Sequence, residues 1–182
     1  MRHINQDLQD YFMEHITKTG VLVDDLSFEE LVLAAYQSLI GVKEEGTNQG
    51  KIVEDIQSTV GRPEKQAYCE DTGQSCIAFA EVIKGVKSPL IATESCMELL
   101  NASHQYIIQP RRGALIVWNH VGTYKGHFGI VKEVLDANTV ITMEGNTSAD
   151  SKVDGEGDGF FEKHRSITGT GNMKVMGFLR MV

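Results

Sequence analysis

The sequence predicts an α+β domain in which N-terminal helices pack on a mostly antiparallel sheet of about five strands. Helical periodicity is confined to the first 101 residues. After Pro110 the apolar residues come in short groups, and 11 of the 18 glycines lie from Gly113 onward. Helices followed by strands are typical of the α+β class. No linker rich in Ser, Gly or Pro separates the two parts, so we expect one compact unit.

Four helices are predicted before Pro110. Residues 27–41 repeat apolar side chains at spacings of three and four, begin with a capping box of Ser27 and Glu30, and end at Gly41. Gly73, near the start of the third helix, is expected to weaken it by about 1 kcal/mol relative to alanine. The other three helices follow Asn48 as far as Gly61, run from about Cys69 to Gly85, and cover Glu94 to Asn101.

Five strands are predicted after Pro110, each a short apolar group between turn residues. A turn at Asp136 to Thr139 is expected to join two of them as neighbours. The predicted strands are Ala114 to Trp118, His127 to Leu135, Thr139 to Glu144, Gly159 to Ser166, and Lys174 to Met181.

Composition and charge exclude several classes of protein. An apolar fraction of 41% with 23% charged residues is ordinary for a globular domain and unlike a disordered chain. The net charge of −8, without a Lys/Arg run, argues against a nucleic-acid partner, because phosphates favour clustered positive charge. Apolar runs are far shorter than the roughly 20 residues of a membrane helix, and the first residues lack a signal-peptide pattern. We therefore expect a soluble, cytoplasmic protein without a membrane span.

The residue types that carry chemistry begin with Cys69. A cysteine in the first turn of a helix gains stability as a thiolate from the unpaired backbone N–H groups and the helix dipole, and those N–H groups can also hold an oxyanion. A buried structural cysteine remains the alternative. Cys76 is the competing nucleophile, but its apolar neighbours favour a core position, and Cys96 is interpreted as a packing residue. The cysteines are not spaced with histidines as metal ligands, so neither a metal nor another cofactor is predicted.

A thiolate nucleophile needs a base, and His127 begins a predicted strand directly after Gly126. Folding about the predicted turn brings His127 level with residues 146–148 of the next strand. Strand alternation then places Glu144 and Asn146 on the face of His127. Either an amide or a carboxylate there can orient the imidazole, while an exposed polar histidine remains the alternative.

Four segments in this order resemble the CHAP family, the cysteine, histidine-dependent amidohydrolases/peptidases of bacterial and phage cell-wall lysis. The resemblance covers about residues 43–182, and the last segments, 155–161 and 177–180, are similar to the family's final strands. The four segments are Gly61-Arg-Pro-Glu-Lys-Gln-Ala-Tyr68-Cys69, Pro110-Arg-Arg-Gly-Ala-Leu-Ile-Val-Trp118, Gly126-His127-Phe-Gly-Ile-Val131 and Glu144-Gly-Asn146-Thr-Ser.

The resemblance implies a papain-like fold, with residues 43–182 as the catalytic domain and residues 1–42 as a helical extension packed on it. It implies Cys69 as nucleophile, His127 as general base, and Glu144, assisted by Asn146, as orienting residue. It also implies peptidoglycan as substrate, cleaved at a peptide or N-acetylmuramoyl-L-alanine amide bond. Residues 1–42 would extend the helical lobe, cap the groove, or bind an immunity or chaperone partner, and we expect a monomer.

Two aromatic residues next to the proposed site are predicted to contact substrate. Tyr68 precedes the nucleophile, and Trp118 ends a strand close to His127, where its ring can stack on a sugar or peptide or simply pack in the core. His120 is interpreted as a loop residue. The acidic run from Asp154 to Asp158 resembles the start of a calcium loop, but Arg165 stands where an EF-hand has Glu, so an acidic turn is favoured.

The chain departs from the family pattern after the nucleophile, where Glu70 and Asp71 replace the usual apolar pair. Two carboxylates would raise the pKa of the Cys69 thiol by like-charge repulsion. The leading interpretation remains a peptidoglycan hydrolase, as a phage endolysin or an injected antibacterial effector acting on the wall. The alternatives are a wall- or protein-binding module with a decayed site, and a protein-directed cysteine protease or deamidase.

Overall fold

The computed structural model describes residues 1–148 and 157–182. Its general class is the predicted one, with helices in the first part of the chain and a mostly antiparallel sheet in the second. The helices are α1 (Gln6–Thr17), α2 (Phe28–Leu39), α3 (Lys51–Ser58), α4 (Cys69–Lys84) and α5 (Cys96–Ala102), with a 3-10 turn at Val23–Asp25. The strands are β1 (Tyr106–Ile107), β2 (Leu115–His120), β3 (Gly126–Val134), β4 (Thr139–Thr147), β5 (Gly159–Ser166), β6 (Gly169–Thr170) and β7 (Met173–Leu179).

The described strands form one seven-stranded sheet in the order β1-β7-β2-β3-β4-β5, with β6 paired to β7. Every pairing among them is antiparallel. The five longer strands correspond to the five predicted ones. The expectation of about five strands missed only β1 and β6, because two-residue strands carry no periodicity that a sequence pattern can reveal.

Helix α1 is the element that the periodicity analysis missed. Its apolar residues Leu8, Phe12 and Ile16 are spaced by four and are all buried, and the Asn5 side chain accepts a hydrogen bond from the Leu8 N–H as an N-cap. Both signals are present in the sequence. Helix α2 begins as predicted, with both hydrogen bonds of the capping box formed.

The close packing of α4 on the sheet explains the glycine inside this helix. A Cβ atom at Gly73 would lie 2.1 Å from the Cε1 atom of Phe128 on β3. A Cβ at Gly145 on β4 would lie 2.3 Å from Thr72 Oγ1 of the same helix. The loss of helix propensity at Gly73 is therefore offset by a close approach of helix and sheet, which brings the start of α4 next to β3 and β4.

The hydrophobic core lies on both faces of the sheet. The larger cluster joins α1, α2, α4 and α5 to one face, so residues 1–42 share a core with the remainder of the chain. A smaller cluster around Trp118 and Val140 occupies the other face. Trp118 on β2 and Arg165 on β5 are in contact although two strands separate them in the sheet. The sheet therefore curves around the smaller cluster.

Among the described residues, no helix combines the length and the apolar character that a membrane crossing requires.

Candidate active site

Cys69 is the first residue of α4 and is 8% exposed. The preceding residue, Tyr68, occupies the N-cap position and makes no side-chain capping hydrogen bond. The first-turn N–H groups of a helix have no partner within it, and the backbone N–H of Glu70 is close enough to the Cys69 sulfur to lower the pKa of its thiol. The helix start therefore places a thiol where backbone donors can stabilise its negative charge.

His127 connects Cys69 to Glu144. On one side, the imidazole lies close enough to the Cys69 sulfur for each group to shift the pKa of the other. On the other side, its Nε2 atom lies 2.8 Å from Glu144 Oε2, and both side chains are 1% exposed or less. Since Nε2 is occupied by Glu144, Nδ1 is the nitrogen left for the sulfur. The structure thus brings together three of the residues that the sequence singled out.

Glu144 is a buried carboxylate, and both of its oxygens have hydrogen-bond partners. Arg165 on β5 donates from Nε to Glu144 Oε1 at 2.8 Å, and its Nη2 forms an ion pair with Oε2. The Thr142 hydroxyl also donates to Oε1. Burial raises the pKa of Glu144, but Arg165 and His127 outweigh that effect and lower it to about 2. Sequence reasoning missed Arg165 and Thr142, since no local pattern links β5 to this position.

The ionisation of the Cys69 and His127 pair follows from these contacts. The hydrogen bond with Cys96 lowers the pKa of Cys69 the most; burial opposes it, and His127 adds to the lowering, so the pKa lies well below the ordinary thiol value. Burial lowers the pKa of His127, but Cys69 and Glu144 together raise it to about 10. Both shifts favour the ion pair of a thiolate and an imidazolium, which is the reactive form of a cysteine nucleophile.

The two acids after Cys69 do not act as the sequence suggested. Glu70 is 1% exposed and accepts a hydrogen bond of 2.7 Å from Gln74, and Asp71 is fully buried against Arg62. Burial raises the pKa of Glu70 to about 8, and burial raises that of Asp71 to about 8 despite Arg62. Both carboxyls therefore favour the neutral form more than exposed acids do, which weakens the expected repulsion of a thiolate.

Asn146 does not assist His127. A register irregularity between Gly145 and Thr147 interrupts the alternation of β4, and Asn146 lies there with φ 53°. Its side chain is fully buried, and neither polar atom has a hydrogen-bond partner. The expectation for Asn146 assumed regular alternation, which a bulge breaks. Arg165 contacts the Glu144 carboxylate instead, and so supports the group that faces His127.

The structure also corrects the role expected for the two aromatic residues. Tyr68 is fully buried, with its hydroxyl donating to Glu44 at 2.8 Å and its ring beside Phe160. Trp118 is fully buried, with its ring centroid 5.5 Å from that of His127. Neither ring offers a surface to a substrate. Both pack beside the candidate site instead, since Tyr68 is the residue before Cys69 and the Trp118 ring packs against His127.

The other four candidates from the sequence lie in different parts of the structure. Cys76 is fully buried, and burial raises the pKa of its thiol well above the ordinary value, as expected for a core cysteine. Cys96 is not merely a packing residue, because its sulfur lies 3.8 Å from that of Cys69. His120 is the last residue of β2 and is buried, so it is not a solvated loop residue. The calcium-like run falls mostly on residues 149–156, which lie outside the described part of the chain.

In the described part of the chain, no group of three or more His, Cys, Asp or Glu side chains is arranged to hold a metal ion. Comparisons with family models, with curated proteins and with solved structures find no match for this chain.

Proposed function

We propose that this protein is a thiol hydrolase that cleaves an amide bond of peptidoglycan, with Cys69 as nucleophile, His127 as acid and base, and Glu144 as orienting residue. The observation that carries the proposal is the succession of these groups in the structure. The imidazole lies 2.8 Å from a buried carboxylate and close enough to the Cys69 sulfur for each to shift the pKa of the other. Each group then has the neighbour that its role requires.

The mechanism follows from the charges that the two side chains carry before substrate binds, a thiolate at Cys69 and an imidazolium at His127. The Cys69 thiolate attacks the amide carbonyl carbon, and the negative charge passes to the carbonyl oxygen, which the N–H groups at the start of α4 can stabilise. The intermediate collapses as the imidazolium of His127 donates its proton to the leaving amine, and an acyl thioester remains on Cys69. The neutral imidazole then takes a proton from water, which attacks the thioester and restores the thiolate and imidazolium.

Glu144 is suited to the third role because it remains charged throughout this cycle. Its pKa of about 2 keeps it ionised at any pH at which the enzyme would act. The carboxylate holds the imidazole through Nε2 and stabilises its cationic form. Arg165 balances the charge that remains when His127 loses its proton, so the site never contains an isolated buried carboxylate.

The choice of peptidoglycan, and of a papain-like CHAP fold, rests on the resemblance of four ordered segments that include Cys69, His127 and Glu144. The catalytic domain would be residues 43–182. The protein would act on the wall after release by lysis or after injection into another cell. The substitution of Glu70 and Asp71 at family positions that are usually apolar is less unfavourable to activity than two exposed carboxylates would be, since burial raises the pKa of both.

The first test is digestion of purified sacculi of several wall chemotypes by the wild type, Cys69→Ala and Cys76→Ala, with mass spectrometry of the soluble fragments. Cys76 is the matched control because it lies in the same helix and is fully buried. We expect fragments from the wild type and Cys76→Ala and none from Cys69→Ala. The fragment masses identify the bond that is cut.

Three other results would reject the proposal or its assignment of the nucleophile. If neither the wild type nor either variant releases wall fragments, but the wild type cleaves or deamidates protein substrates, the enzyme is protein-directed. If neither activity is found and iodoacetamide does not react rapidly with Cys69, the site is a decayed one and the protein is a binding module. Fragment release by Cys69→Ala would reject the assigned nucleophile.

A further inference from the structure

Cys96 is placed beside the nucleophile by elements that leave it little freedom. Its sulfur is 3.8 Å from that of Cys69, both residues are buried, and 27 residues separate them in the chain. Cys96 begins helix α5, and its Cβ atom lies against Gly126, where an added Cβ would be only 2.8 Å away. Any side chain at Gly126 would therefore displace Cys96 from the strand that carries His127.

Two partly buried arginines fix the segment that leads to Cys96. Arg2 donates to the backbone oxygens of Leu90 and Ile91 at 2.7 and 3.0 Å and forms an ion pair with Glu81 on α4. Arg62 contacts Asp71 on α4 and donates to the backbone oxygen of Glu94. The segment before Cys96 is thus attached to α4, the helix that presents Cys69. These contacts fix the position of Cys96 relative to Cys69.

We propose that Cys96 is a positioning residue whose S–H donates a hydrogen bond to the Cys69 sulfur and so keeps the nucleophile in its thiolate form. The two thiols differ in the charge they favour: Cys69 is favoured as an anion, and its proximity raises the pKa of Cys96 well above the ordinary value. Cys96 therefore retains its proton and remains a donor. The inference rests on the proposed function only in taking Cys69 as the nucleophile.

Other groups near Cys69 also influence its ionisation, and the test must leave them unchanged. His127 supplies positive charge, and the remaining groups belong to three elements and one loop. Those groups are Glu144 on β4, Glu70 and Asp71 on α4, Tyr36 on α2, and Arg62 in the segment between α3 and α4. Substitutions at Cys96 alone alter none of them directly.

The experiment measures the rate at which iodoacetamide alkylates Cys69 as a function of pH, with the modified residue identified by peptide mass. The variants are Cys96→Ser, which retains a donor, and Cys96→Ala and Cys96→Val, which do not. We expect the midpoint of the profile to rise by about one pH unit in the alanine and valine variants, as for the loss of one hydrogen bond to a charged group. The serine variant and the control Cys76→Ala should keep the wild-type midpoint.

The valine variant fills the volume of the thiol, so the test remains decisive if Cys96→Ala does not fold. A wild-type midpoint in either folded variant without a donor would overturn the proposal. An equal rise in the serine variant would also overturn it, because packing rather than donation would then be responsible. Alkylation requires no wall substrate, so failure to digest sacculi would reject the proposed function and leave this result unaffected.

Discussion

At the scale of single residues, Glu144 controls the charge balance of the site. Its carboxylate faces two buried cations, the imidazolium of His127 and the guanidinium of Arg165. The pKa of His127 is raised to about 10 partly by Glu144, so the imidazolium proton is present below that pH and lost above it. The basic limb of the pH profile of kcat/KM should report this loss.

We expect Glu144→Gln to move that basic limb to lower pH and to lower kcat by about 10²-fold, because the amide can orient the ring but cannot stabilise its charge. The measurement is the pH profile of hydrolysis. The same variant leaves Arg165 without this carboxylate, which costs about 3–5 kcal/mol of stability for a buried pair. Adding Arg165→Met should restore the free energy of unfolding but not the pH profile.

The matched control for this prediction is Glu162→Gln, on the neighbouring strand. Glu162 forms its ion pair with Lys132, and both side chains are about one third exposed. Loss of such a pair is worth about 1 kcal/mol or less. An unshifted basic limb in Glu144→Gln, or an equal shift in Glu162→Gln, would contradict the assignment of Glu144.

At the scale of elements, the contact between α4 and β3 determines where the nucleophile lies. Gly73→Ala should gain about 1 kcal/mol of helix propensity. Its new Cβ, however, would approach the ring of Phe128 to 2.1 Å, and overpacking of this kind costs about 1–3 kcal/mol. We expect a net loss of stability in urea unfolding and a lower rate of hydrolysis, since the start of α4 must shift away from His127.

The cause of that loss is tested by a double-mutant cycle with Phe128→Leu, which should show a favourable coupling energy because the smaller side chain leaves room for the methyl group. Val82→Ala serves as the control in the same helix, since Val82 is 52% exposed and its truncation should change stability by about 0.5 kcal/mol or less. A Gly73→Ala variant more stable than the wild type would show that the helix and sheet can separate without cost.

At the scale of the whole molecule, the net charge of −8 opposes approach to a wall that carries anionic polymers. The screening length falls from about 30 Å at 0.01 M salt to about 10 Å at 0.1 M. We expect hydrolysis of such walls to rise several-fold over this range and to change little for walls stripped of their anionic polymers. Release of fragments under both conditions is the measurement, and an equal salt response of the two walls would contradict the electrostatic explanation.

The features that could be predicted from the sequence are those encoded by local interactions. The capping box at Ser27, the start of a helix at Cys69 and the five longer strands depend on residues within a few positions of one another. Alternation along β3 and β4 also placed Glu144 near His127, because both strands join at a short turn that fixes their register. Helix α1 had comparable local signals and could have been predicted from them.

The rest was decided by tertiary structure. Cys96 reaches Cys69 across 27 residues, and Arg165 reaches Glu144 across 21, and no periodicity encodes either distance. Regular alternation predicted Asn146 beside His127, but a bulge in β4 breaks the alternation at this residue. Tyr68 and Trp118 look like substrate contacts by their place in the sequence, yet both are covered by neighbouring elements. Burial depends on which distant side chains exclude water, and for the same reason only the folded chain determines that Glu70 and Asp71 have raised pKa values beside Cys69.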